Sequence, residues 1–301
     1  MDRRRALGFL AAGVAGSVLP PGAIAAEGLT RPIPASGERL PAVGLGTWLT
    51  FDVGGAVSPA RHDRGEVLRA FFASGGRLVD SSPMYGSSEA VIGAELPRTP
   101  PAPVFSATKV WTVGGLAGRR QVESSRRLWN LPRFDLLQVH NLLDWETHWP
   151  MLQAMKAEGR VRYIGMTTSH GRRHDDLEKI LKAGKLDFVQ FTYNLADPQV
   201  ERVLLPLAAD RGTAVIVNRP FHGGDLFGAK TQAPLPGWSR DLGIATWAEA
   251  FLKWIVAHPA VTVAIPATSK VEHLRQNMRA LGGPLPDAAL RRRIADDYAR
   301  A

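Results

Sequence analysis

The chain has 301 residues, 45% of them hydrophobic and 22% charged, with a formal net charge of +9 and no cysteine. That is the composition of a globular protein with a packed core, and it excludes disulfides, thiolate catalysis and cysteine-based metal sites. Beyond the first residues the basic side chains are scattered, Arg291 to Arg293 being the one tight cluster and expected to form one exposed helical turn, so no nucleic-acid-binding stripe is expected.

The N-terminus reads separately. Arg3, Arg4 and Arg5 precede an apolar stretch from Ala6 to Leu19, and the small residues Ala23 and Ala25 follow. This is the three-part plan of an export signal spanning residues 1–25, cut after Ala25. Consecutive arginines before a mild Gly/Ala-rich core point to the twin-arginine machinery as a partner, and so to a periplasmic or exported protein. The mature part, residues 26–301, would carry about +7. No internal run after the signal reaches the roughly 20 apolar residues of a membrane span.

From there the chain alternates. Short, nearly continuous apolar runs fall at 41–48, 77–82, 104–110, 134–141, 161–168, 186–194, 213–220 and 261–268, as expected of parallel strands buried on both faces. Helical patterns such as "RGEVLRAFFASGG" and "THWPMLQAMKAEG" lie between them and stop at glycine. Eight strands alternating with helices over about 240 residues predict an α/β fold of one domain, a (β/α)8 TIM barrel. A doubly wound sheet fits less well, because "GLGTWL" lacks the third glycine of a dinucleotide fingerprint. The strand-free connection from Phe221 to Gly243, rich in Gly and Pro, reads as a binding loop.

Barrel chemistry sits at the C-terminal ends of the strands. The second strand ends at Asp80 with Tyr85 in the loop beyond, the third at Lys109 and the fourth at His140. Asp80, Lys109 and His140 are 29 and 31 residues apart, about one βα unit each, which puts them at one height on neighbouring strands. Singly, these are ordinary residues: an aspartate cap, a solvated strand-end lysine, a core histidine. Together they suit proton transfer. A lysine ammonium beside Tyr85 is expected to lower the phenol's pKa, and Asp80 to keep the lysine charged. His140 would hold a carbonyl oxygen against the phenol, so that Tyr85 protonates it as hydride reaches the carbon.

These segments resemble the aldo-keto reductases, over essentially all of residues 30 to 280. "GLGTW" is similar to the family's first strand, "VDSSPMYGSSEAVIGAEL" to its D-x4-Y segment, "ATKV" to its lysine strand and "LLQVHN" to its histidine strand. The resemblance implies that Asp80, Tyr85, Lys109 and His140 are the catalytic tetrad, and that the protein is an oxidoreductase using NADP(H), with NAD(H) as the alternative. "AIPATSKVEHLRQN" resembles the last-strand segment, which implies cofactor contacts from Ile265, Pro266, Thr268, Ser269, Lys270, His273, Gln276 and Asn277. A helix N-terminus is also a physical seat for a phosphate. Gln190 corresponds to the residue that binds the nicotinamide carboxamide.

The pattern also departs from the family. Thr167 and Thr168 replace a Ser-Asn pair, Asn218 stands where an aromatic ring stacks on the nicotinamide, with Arg219 and Pro220 after it, and His273 replaces an arginine of the 2′-phosphate pocket. By position Thr167, Thr168, Asn218, Arg219 and Pro220 are still expected to contact the cofactor, through a polar or ionic hold in place of the ring. The sequence stops at "LRRRIADDYARA", soon after the last-strand segment, which is expected to leave an open substrate site. Trp48 and Trp111 adjoin strand ends and are expected to line that site, with Trp145 and Trp149 as further candidates. His170 and His174 are four apart across a loop-like Gly-Arg-Arg, so no metal is expected. The substrate expected is a small carbonyl compound or alcohol. Two other readings of the same residues are a Schiff-base lyase built on Lys109 and a slow-turnover nicotinamide-binding or sensing protein.

Overall fold

The computed structural model describes residues 28–96 and 104–300; the expected export signal lies outside them. The chain begins with an antiparallel hairpin, β1 (Thr30–Pro32) and β2 (Arg39–Pro41). Eight parallel strands follow, each inside one of the runs expected from the sequence. They are β3 (Leu45–Gly46), β4 (Leu78–Asp80), β5 (Phe105–Val110), β6 (Phe134–Val139), β7 (Val161–Thr167), β8 (Phe188–Thr192), β9 (Ala214–Asn218) and β10 (Val263–Ala264). Their order in the sheet is their order in the chain. The edges meet: Gly44 N–H donates to Ala264 O at 2.8 Å and Gly46 N–H to Pro266 O at 3.0 Å, which closes the barrel. Glycine is needed at this seam, since a Cβ on Gly46 would stand 2.6 Å from Ile265 O.

A helix follows each strand. After β3 to β6 come α1 (Pro59–Ala73), α2 (Ser88–Glu95), α3 (Gly115–Leu128) and α4 (Trp145–Ala157). After β7 and β8 come α5 (His174–Ala183) and α6 (Leu204–Asp210). The long connection after β9 carries two single turns, α7 (Ala229–Gln232) and α8 (Trp238–Asp241), before α9 (Trp247–Val256). α10 (Val271–Arg279) follows β10, and α11 (Ala288–Arg300) ends the described chain.

Local chemistry sets the helix ends. Ser58 Oγ accepts from Arg61 N–H with Pro59 at the first helical position of α1, and Thr246 with Glu249 forms a capping box on α9. In α1 the buried side chains Val67, Leu68, Phe71 and Phe72 share one face and pack on the strands.

The core has two shells. One fills the space between strands and helices; the other fills the barrel itself, with Leu78, Phe105, Leu136, Tyr163 and Phe188 in the middle and Ile33 and Leu40 of the hairpin plugging the base. The hairpin escaped the sequence pattern because three-residue strands flanked by prolines are too short to show a period. Arg291 also differs from expectation. Its guanidinium stacks 4.4 Å from the Trp254 ring and pairs with Glu201, so Arg291 to Arg293 is not one exposed turn.

Candidate active site

Barrel shear brings the expected residues together. Asp80 pairs in register with Ala107, and Lys109 lies two residues further along β5. Lys109 in turn pairs with Gln138, and His140 lies two residues beyond it. Steps of two keep each side chain on the barrel's inner face, so the sequence intervals and the sheet register carry the same information. Tyr85 enters from the β4–α2 turn, which is held by Tyr85 N–H to Ser82 O at 2.9 Å and Ser88 N–H to Tyr85 O at 3.1 Å.

The buried Lys109 ammonium donates to Asp80 Oδ1 at 2.6 Å and to Ser81 O at 2.7 Å, and lies 5.2 Å from the Tyr85 ring centroid, close enough for its charge to act on the phenol. Gln138 Nε2 donates to the other Asp80 oxygen at 3.4 Å. Burial alone would pull the ammonium's pKa down; Asp80 and Tyr85 outweigh it and hold Lys109 above its ordinary value. Asp80 is pushed up by burial against the pull of Lys109. Tyr85 departs from expectation. Part of its ring opens on the cavity, yet burial of the hydroxyl raises its pKa, Lys109 opposes this and Asp80 adds to it. The phenol therefore stays protonated at neutral pH.

His140 is buried, its ring 5.8 Å from that of Tyr85 and edge-on to it. Burial, with the Lys109 charge behind it, pushes its pKa down to about 2, so the ring is neutral. Its tautomer follows from a residue that sequence reasoning passed over. Ser82 Oγ lies 2.8 Å from His140 Nδ1 and accepts Met84 N–H at 3.2 Å. Among the described residues Nδ1 is the acceptor within reach of the buried Ser82 proton, which leaves Nε2–H to face the cavity. Gln138 was passed over too, although a side chain two residues before His140 on an inner face could have been found by strand period.

Asp80, Tyr85 and His140 line a cavity of about 390 Å³ together with Trp48, Thr167, Asn218, Arg219, Pro220 and Ile265, and Lys109 lies behind that wall. A second cavity of about 500 Å³ is lined by Thr268, His273, Gln276 and Asn277. The two share Phe221, Phe227 and Ala267, so one long ligand can lie across both. Ser269 and Lys270 are not in either lining. The Ser269 carbonyl accepts from Arg64 at 3.3 Å, and exposed Lys270 opens α10 with its N–H on Thr268 Oγ1 at 3.1 Å. Pro266 supplies the seam carbonyl.

A nicotinamide cofactor fits this frame. Gln190, buried beside Asp80, has an amide nitrogen with no partner in bonding geometry, and the buried Thr168 hydroxyl is likewise unpartnered. Both belong to adjacent strand ends, where Thr168 N–H donates to Gln190 O at 2.8 Å. Two orphaned polar groups side by side suit a carboxamide. Asn218 is differently engaged: Thr192 Oγ1 donates to its Oδ1 at 2.7 Å and its Nδ2 donates to Thr168 O at 2.9 Å. It is a strut that sets the height of Thr168.

Trp111 is not brought to the cavity. Gln121 holds its backbone through two hydrogen bonds and the ring is 41% exposed. Trp145 and Trp149 pack against the core. His170 meets the Trp48 ring at 6.2 Å, whereas His174 begins α5, and among the described residues no metal-ligating group of three occurs.

Comparison with known proteins agrees with this geometry. The Aldo/keto reductase family model matches residues 42–293, so the chain belongs to that family and is an oxidoreductase using a nicotinamide cofactor. The NADH-specific methylglyoxal reductase of Escherichia coli is 25% identical, covering 89% of this chain and 99% of its own. An aldo/keto reductase of Klebsiella pneumoniae, solved with NADP and acetate, is 25% identical with a TM-score of 0.74 over 87% of this chain and 93% of its own. The same fold recurs in the thermostable aldo-keto reductase Tm1743, 24% identical with a TM-score of 0.76 over 89% of this chain and 99% of its own.

Proposed function

We propose that the protein is an NADP(H)-dependent carbonyl reductase in which Tyr85 is the proton donor. The observation that carries this reading is geometric: Tyr85 meets buried Lys109, itself 2.6 Å from Asp80, and the His140 ring 5.8 Å away, at the wall of one cavity. Gln190 and Thr168 would hold the carboxamide of a nicotinamide, which in its reduced form would supply the hydride for the substrate's carbonyl carbon. His140 Nε2–H fixes the carbonyl oxygen, and Tyr85 gives that oxygen its proton. Lys109 stabilises the phenolate left behind until solvent reprotonates it through the cavity, and Asp80 keeps Lys109 charged.

The choice of NADP(H) is supported by the Lys270 cation at the start of α10 and by the NADP-bound Klebsiella relative, against an Escherichia coli relative that is NADH-specific. The Schiff-base reading loses ground because a buried lysine held by Asp80 and Ser81 O, with a raised pKa, is a poor amine nucleophile.

Export by the twin-arginine route to the periplasm is also our inference, from Arg3 to Arg5 and the Ala25 site. Because free NADPH is not expected there, the protein would leave folded with its nucleotide bound. Mass spectrometry of the mature protein, purified without added nucleotide, would find none if this is wrong.

The central test is nucleotide consumption over a panel of aldehydes, ketones and sugars with Tyr85→Phe alongside. Loss of about 10² to 10⁴ in rate with nucleotide binding kept is expected. Equal rates would remove Tyr85 from the mechanism. A wild-type protein that binds nucleotide but transfers no hydride would instead be a binding or sensing protein.

A further inference from the structure

Four cationic or ionisable side chains from two loops crowd one side of the catalytic cavity. The loop after β7 brings His170 and Arg172, and the connection after β9 brings Arg219 and His222. His170, Arg172 and Arg219 line the cavity. The Arg219 guanidinium lies 5.7 Å from the Trp48 ring centroid, and His170 meets the same ring edge-on at 6.2 Å. Trp48 thus ties both side chains to one stretch of the cavity wall that Tyr85 and His140 also line.

The cations are short of counter-charge. Among the described residues neither Arg172 nor Arg219 has a carboxylate within 4.0 Å, although neighbouring Arg173 pairs with Asp176, and Arg61, Arg162, Arg279 and Arg291 each find an acid. Asp80, the one acid in the cavity wall, is taken by Lys109. Asp197 and Asp225 act on Arg219 from beyond ion-pair distance. Arg219 makes one long hydrogen bond, Nη2 to His222 O at 3.3 Å, and its buried Nε–H has no partner. The backbone holds it there under strain, Arg219, His170 and His222 all being left-handed at φ 49, 60 and 52. Glycine opposite keeps the space open, since a Cβ on Gly223 would come within 3.0 Å of Arg219 Nη2. Burial and then the charges of Arg219, Arg172 and His222 hold His170 below its ordinary pKa, the sign of a region with surplus positive charge.

We propose that this cationic wall is a substrate subsite, and that the preferred substrates are small aldehydes or ketones carrying a carboxylate or phosphate group. The anionic group is held by Arg172 and Arg219 while the carbonyl oxygen reaches Tyr85 and His140. The proposal rests on the reductase reading and narrows it to a substrate class. Planar guanidinium forks match carboxylate and phosphate oxygens, and a half-buried arginine without a counter-ion gains most from one. The cofactor's own phosphates are the competing claimant. Against them, none of the four side chains lines the second cavity, whose Thr268, His273, Gln276 and Asn277 are the residues expected to hold the adenosine end.

The test uses the mature protein and substrates matched in size. Succinic semialdehyde is compared with butanal, and glyceraldehyde 3-phosphate with glyceraldehyde, which separates carboxylate from phosphate. At least one anionic member is expected to exceed its neutral partner by about 10²-fold in kcat/KM, and the margin should shrink as salt is raised. Arg172→Gln and Arg219→Gln should each cut that ratio about tenfold, by raising KM for the anionic member. Equal rates within both pairs overturn the proposal. So does an Arg219→Gln protein, assayed with Arg172→Gln as control, whose nucleotide affinity falls while the ratio stays put; that residue then serves the cofactor. Binding of unreactive succinate or inorganic phosphate, followed by calorimetry and lost in Arg172→Gln, stands apart from turnover. A protein that binds these anions at this wall but reduces no carbonyl keeps the subsite and sinks the reductase reading.

Discussion

The two ends of the barrel hold the same kinds of charged pair and use them differently. At the base, Glu38 receives Arg162 and Arg77, and Arg162 also donates to Asp135 at 2.7 Å. These groups stay partly solvated, and although burial pushes the other way, the arginines keep Glu38 below its ordinary pKa. At the mouth, Lys109 and Asp80 sit 2.6 Å apart with almost no solvent contact, and burial drives the carboxylate up. The base pairs tie a hairpin to the barrel at little cost. The mouth pair is expensive to bury and is retained for what its charge does to Tyr85. Backbone strain divides the same way: of nine left-handed non-glycine residues among the described ones, eight lie in the loops at the mouth and Asn130 lies elsewhere.

The sharpest way to break this contrast is to remove one partner at each end. Lys109→Met leaves a buried carboxylate alone and should cost about 3–5 kcal/mol in urea unfolding besides abolishing hydride transfer. Arg162→Met should cost about 1 kcal/mol and leave turnover intact. Similar losses at both ends would show that solvation does not separate them. Next in size is Gln190→Ala, expected to weaken nucleotide binding about tenfold in a fluorescence titration, because it removes the orphaned amide that the base of the barrel has no counterpart for. Unchanged affinity would release Gln190 from the cofactor.

Ser82→Ala should lower kcat several-fold with little change in substrate KM, an effect of about 1 kcal/mol. Nitrogen-15 NMR should show His140 protonated on Nε2 in the native protein and a mixture in the variant, and Ser82→Thr should restore it. A native ring protonated on Nδ1 would refute the tautomer assignment. The smallest expected effect is an absence of change. The reductive kcat should be flat between about pH 6 and 9, because neutral His140 gives no limb there and the raised phenol keeps its proton. Its fall should come only above pH 10, as Tyr85 ionises. A limb near 6.5 would mean that His140 charges, against a pKa of about 2.

The legible parts of the molecule were those that repeat. All eight barrel strands lie where apolar runs predicted them, since a strand covered on both faces needs apolar side chains in unbroken succession. Asp80, Lys109 and His140 were legible from spacing, because one βα unit and a two-residue shear step recur along the chain. Trp111 misled because adjoining a strand end does not fix direction; Gln121 turns the loop outward. Asn218 was expected at the cofactor and does line the cavity, but its role in setting the height of Thr168 was not legible, because its two partners lie 26 and 50 residues away in the chain.

The amino-acid sequence by itself determined the alternation of strand and helix, the barrel it closes into and the acid, phenol, ammonium and imidazole carried to one rim, because these depend on short-range periods. Tertiary structure alone decided protonation and polarity: that Tyr85 keeps its proton, that His140 presents Nε2–H, and that Arg172 and Arg219 face a cavity without an acid to neutralise them. Those properties depend on how much water and which charges surround each atom, and neighbours distant in sequence set both.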